Sequence, residues 1–146
     1  NRAFDADCSI SGSTLTVNNV GDGSCLVTAT IAGDSNYNGT SDTVTVTINK
    51  ASLDGIFTAL TNTADGVTVT YAPAGATTVA LSTSGLRGST GGVTYSESDA
   101  DCSIEGTTLT VDQRGDGSCV VTASIAQSDN YLADTDTVTV TINKAD

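Results

Sequence analysis

Apolar residues alternate with threonine and serine along most of this chain. Between residues 5 and 31, Cys8 and Ile10, then Leu15 and Val17, then Cys25, Val27, Ala29 and Ile31 share one face. This is the period-two signature of half-buried strands. Residues 43–49 read T-V-T-V-T-I-N, which aims Val44, Val46 and Ile48 at a core and leaves the threonines in solvent. Turn signals separate the runs at Ser11-Gly12, Asn18-Asn19 and Gly21-Asp22-Gly23. Further strands are predicted over residues 56–60, 67–71, 77–81 and 93–95, separated by Asp65-Gly66, by Ala74-Gly75 and by the glycine-rich stretch 85–92. No stretch sustains an apolar period of 3.6, so the chain is expected to be all-β.

The alternation occurs twice. Residues 101–144 restate residues 7–50, with Cys102 matching Cys8, Cys119 matching Cys25 and Tyr131 matching Tyr37 at a constant offset of 94 (102 − 8 = 119 − 25 = 131 − 37). Aligning residues 1–50 with 95–144 leaves 32 of 50 positions identical without a gap, which marks a tandem repeat. Residues 51–146 then form one complete unit, a β-sandwich of immunoglobulin size, and residues 1–50 form the second half of another. Below about 70 residues a core rarely supplies more than a few kcal/mol. The first half-unit is therefore expected to be completed by a preceding stretch of chain or by a neighbouring subunit. The joint Asn49-Lys50-Ala51-Ser52 lacks glycine and predicts a short, stiff link.

Charge narrows the partners. Asp and Glu number 17 against 5 Lys and Arg, a net charge of −12, which repels phosphate backbones and anionic membrane surfaces. No run approaches the ~20 apolar residues of a membrane span. Neither nucleic acid nor membrane insertion is expected. Four cysteines with no histidine favour disulfides over a zinc site, and disulfides imply an oxidising compartment. With no histidine, no nucleophile elbow and no cofactor loop, the chain offers catalysis no foothold and is expected not to be an enzyme.

The motifs V-T-Y, C-S-I-x-G-x-T-L-T-V, G-x-G-x-C-x-V-T-A-x-x-A, N-Y and T-V-T-V-T-I, as they stand between Val93 and Ile142, resemble the bacterial immunoglobulin-like repeats of large surface proteins and adhesins. The resemblance implies an extracellular module at the cell surface whose partners are adjacent repeats of the same protein. It further implies bridges Cys8–Cys25 and Cys102–Cys119, each closing a short loop and stabilising by about 3 kcal/mol. The expected function is to build a stalk or filament, with head-to-tail strand complementation as one route of assembly. The alternative is an adhesin domain that binds sugar or protein through loops at one end of the sandwich, with the loop 84–92 and its Arg87 as the candidate site.

Acidic residues supply the remaining candidates. Gly21-Asp22-Gly23 and Gly115-Asp116-Gly117 read either as tight turns with aspartate and glycine at positive φ or as calcium loops. Carboxylates also alternate at Asp5 and Asp7, at Asp99 and Asp101, and at Asp134 and Asp136, where each pair shares a strand face. Such a pair either repels in solvent or shares a calcium ion that would stiffen the joint. No other cofactor is expected.

Overall fold

The computed structural model describes residues 2–3, 6–53, 66–73 and 76–146. The expected strand 56–60, the turn Ala74-Gly75 and Asp5 lie outside them. Among the described residues the chain is all-β, with several sheets and no α-helix. It divides into two compact units: unit 1 holds Asn1–Ala51 with Asp129–Tyr131, and unit 2 holds Ser52–Ser128 with Leu132–Asp146.

Unit 2 contains β6 (Thr68–Thr70), β7 (Thr78–Ala80), β8 (Val93–Glu97), β9 (Cys102–Glu105), β10 (Thr108–Val111), β11 (Ser118–Ile125) and β12 (Asp134–Asn143). They form a four-stranded sheet in the order β6-β12-β11-β8 and a three-stranded sheet in the order β7-β10-β9. The β6–β12 pair is parallel and the other pairs are antiparallel. The alternation seen in the sequence decides the core. Cys119, Val121, Ala123 and Ile125 on β11 are buried, as are Val138, Val140 and Ile142 on β12, while the threonines between the β12 residues stay exposed. Val79, Cys102, Leu109 and Val111 supply the buried face of the second sheet, and Leu53 and Leu81 add to the core. Each such aliphatic side chain contributes about 1.5–3 kcal/mol by leaving water.

Unit 1 repeats this plan with fewer strands among the described residues. Its elements are β1 (Arg2–Ala3), β2 (Cys8–Ser11), β3 (Thr14–Val17), β4 (Ser24–Ile31) and β5 (Thr40–Thr47), in sheets of order β1-β4-β5 and β2-β3. The register is that of unit 2 shifted by 94: Cys8 lies opposite Val17 as Cys102 lies opposite Val111, and Cys25 opposite Val46 as Cys119 opposite Val140. One difference is informative. β12 runs on to Asn143 because Thr141, Ile142 and Asn143 pair with β6, whereas β5 stops at Thr47, short of the expected Asn49. Among the described residues, unit 1 has no counterpart of β6 to hold that end as strand.

Candidate functional site

Two features stand out above the plain sheet: a stapled acidic turn, present in both units, and an uncovered apolar face in unit 1.

The turn is built around the disulfide. Cys102 on β9 bridges to Cys119 on β11 with a Cα–Cα distance of 6.4 Å, and Cys8 on β2 bridges to Cys25 on β4 at 6.2 Å. Each bridge ties one sheet of its unit to the other across buried sulfur, within the usual span for such links. The bridges indicate an oxidising environment. Immediately before Cys102 sits Asp101, the one buried charged residue among those described. Its Oδ2 accepts from the Asp116 N–H at 3.0 Å and its Oδ1 from Gln113 Nε2 at 2.8 Å, while its carbonyl accepts from the Asp112 and Gln113 amides at 2.9 and 3.1 Å. In unit 1 the Asp7 carbonyl likewise accepts from the Asn18 and Asn19 amides at 2.7 and 3.2 Å.

Gly-Asp-Gly is thereby explained. Gly115 and Gly117 have φ of 50° and 94°, and Gly21 and Gly23 have φ of 54° and 87°, the left-handed region that glycine enters without strain. Asp22 and Asp116, expected there too, stay at negative φ because the flanking glycines take up the turn. A Cβ at Gly115 would overlap the Asp101 carboxylate, and one at Gly21 would overlap that of Asp7. The central aspartate caps the next strand, since Asp116 Oδ1 accepts from both the amide and the hydroxyl of Ser118 at 3.0 Å, as Asp22 does from Ser24. The motif is a tight turn that seats a carboxylate, buried at Asp101 and half-buried at Asp7.

This geometry yields a coupled prediction. Gly115→Ala should destabilise unit 2 by about 1–3 kcal/mol through overlap and backbone strain, and Asp101→Ala by about 1–3 kcal/mol through orphaned donors. The double variant should cost clearly less than the sum, because removing the carboxylate makes room for the new methyl group. Chemical denaturation of the four proteins measures the cycle, and strict additivity would show that the two residues do not meet.

The calcium candidates separate. Asp99 and Asp101 lie in the turn between β8 and β9 and do not share a strand face as expected. Carboxylate oxygens of Asp99, Asp101 and Asp116 lie within 4.8 Å of one another, and Asp99 Oδ1 also accepts the Asp101 N–H at 3.0 Å. Asp134 and Asp136 do not join them. They pair with Ile125 and Ala123, and Ala123 lies four residues along β11 from Cys119, roughly 13 Å at ~3.3 Å per residue. Asp134 and Asp136 instead accept from the amides of Thr135 and Thr137 at 2.9 Å. Of the four expected ligands, the structure brings two together and adds Asp116.

Arg87 occupies an exposed turn with φ of 46°. The concavity at that end of unit 2, about 460 Å³, is lined by Gly92, Thr94, Ile125, Ala126, Asp134 and Thr135 among others, without Arg87 or any aromatic side chain. Ser89 and Ser128 hydroxyls, 3.1 Å apart, pin the loop to the strand end.

The second feature is exposure where the repeat calls for a core. Val17, Ile31 and Val44 are 49%, 69% and 58% exposed, whereas their counterparts Val111, Ile125 and Val138 are 0%, 2% and 7% exposed. The sequence aims Val44 inward, and the structure leaves it in solvent. In unit 2 the matching strands each have a further neighbour, β7 beside β10 and β6 beside β12; among the described residues of unit 1 the outer edges of β3 and β5 have no strand beside them.

No protein-family model matches the chain, and no curated protein matches it. Among solved structures, an endo-fucoidan hydrolase from glycoside hydrolase family 107 is similar over 85% of this chain and 19% of that one, at 14% identity and a TM-score of 0.34. The chain spans about 19% of that protein's length. At this level the likeness carries no argument about fold or activity.

Proposed function

We propose that the chain is an extracellular structural repeat: an immunoglobulin-like module that extends and stiffens a stalk or filament at a cell surface, with adjacent repeats of the same protein as its partners. The observation that carries this reading is the repetition of one strand register and one disulfide at an offset of 94 residues (102 − 8 = 94). A repeated unit with a solvated threonine face adds length without adding a reaction centre.

Strand order supports the immunoglobulin-like part. In this reading the orders β7-β10-β9 and β6-β12-β11-β8 would correspond to strands B, E and D and to strands G, F and C with β6 joining the G edge in parallel. The bridge here joins the D and F positions. The disulfides support an exported location, and the net charge of −12 keeps neighbouring rods apart in solution. The reading assigns no enzymatic activity.

Single-molecule pulling tests it. Unit 2 should resist extension and then unfold in one event whose length gain excludes the loop locked by Cys102–Cys119. The locked loop spans a sequence separation of 17, so reduction should lengthen the event by about 50 Å at ~3.5 Å per residue. Gradual yielding at low force, or no change on reduction, would contradict a tension-carrying role. A glycan or protein ligand whose binding disappears in Arg87→Ala would favour the loop-binding adhesin instead.

A further inference from the structure

We propose that the uncovered face of unit 1 is a docking groove for the first half of a further copy of this repeat, entering as two strands of the same kind as β6 and β7. The inference rests on the repeat reading and adds the occupant, its direction and its register.

Unit 2 shows what covers the face. There β7 pairs antiparallel with β10, with Ala80, Val79 and Thr78 opposite Thr108, Leu109 and Thr110, and β6 pairs in parallel with the end of β12, with Thr68, Val69 and Thr70 opposite Thr141, Ile142 and Asn143. Four backbone bonds flank these ladders: Val111 N–H to the Thr77 carbonyl at 3.0 Å, Leu81 N–H to Thr107 at 2.8 Å, Thr141 N–H to Val67 at 3.0 Å and Tyr71 N–H to Asn143 at 3.0 Å. Subtracting 94 places the receiving groups of unit 1 on Val17, Ser13, Thr47 and Asn49. The incoming Val79-type residue falls opposite Leu15 (109 − 94 = 15) and the Val69-type residue opposite Ile48 (142 − 94 = 48).

The chemistry on both sides matches. Open strand edges bind extended segments through the main chain and choose among them by alternate side-chain pockets. The face holds Val17, Ile31 and Val44, all largely exposed, and a segment with apolar residues at every second position covers such a row. A second copy of this chain is a poor donor, because its β6 and β7 are already paired in its own unit 2. The donor that fits is a first-half segment not yet engaged by a second half.

The test adds a synthetic peptide of residues 51–94 to the full chain and follows binding by calorimetry and the amides of β3 and β5 by NMR. The proposal expects saturable one-to-one binding, slowed exchange at Val17 and Thr47, and at least about tenfold weaker binding to Val44→Asp, whose exposed position leaves folding of the free chain intact. A chain with residues 51–94 fused ahead of Asn1 should show the same protection without added peptide. Absence of protection in both formats overturns the proposal. So does self-association of the chain through this face that the peptide fails to displace. Unit 2 contributes its pulling signature independently of the groove, so a failure here leaves the stalk reading separately testable.

Discussion

Replacing Leu109 by alanine should lower the stability of unit 2 by about 2–5 kcal/mol, while the same change at Leu15 should cost unit 1 less than about 1 kcal/mol. The two leucines occupy equivalent positions in the repeat and equivalent registers, Leu109 opposite Ile104 and Leu15 opposite Ile10. Leu109 is fully buried, with Val79 of β7 beside it, whereas Leu15 is only half-buried and has no such neighbour strand among the described residues. A cavity penalty arises only where atoms surround the removed methyls on every side. Residue-resolved denaturation by NMR reads the two units separately, and equal costs would mean that the half-unit already has a closed core.

Much of this is legible in the sequence. The alternation at Val121, Ala123 and Ile125 and at Val138, Val140 and Ile142 names the buried face outright, because a strand admits only two faces. The repeat offset tells which strands residues 1–50 lack, but alternation alone aims Val44 at a core, and the structure leaves it 58% exposed. The cysteine pairing came through the family resemblance, and the structure forms both bridges as that resemblance implied.

Other features depend on contacts that spacing does not encode. That Gly115 is needed to seat the Asp101 carboxylate is a tertiary fact: 14 residues separate them (115 − 101 = 14), and the sequence signals only a turn. Alternation correctly puts Asp134 and Asp136 on one side of a strand, yet says nothing of how far along the sheet they lie from Asp99 and Asp101. The early end of β5 is likewise invisible locally, since residues 43–49 match 137–143 letter for letter. Among the described residues only β12 has a partner strand to extend it. Identical sequence with different strand ends is direct evidence that tertiary pairing, more than propensity, sets the boundary.

The central claim is that this unit closes its core only when both halves are present, and native-state hydrogen exchange tests it most directly. Backbone amides of β11 and β12 should exchange only through global unfolding of unit 2, while matched amides of β4 and β5 should exchange at least about a hundredfold faster, a difference of roughly 2.8 kcal/mol. Equal protection at the matched positions Cys25 and Cys119, Val27 and Val121, and Val46 and Val140 would contradict the account, because the half-unit would then be stable without the strands it lacks.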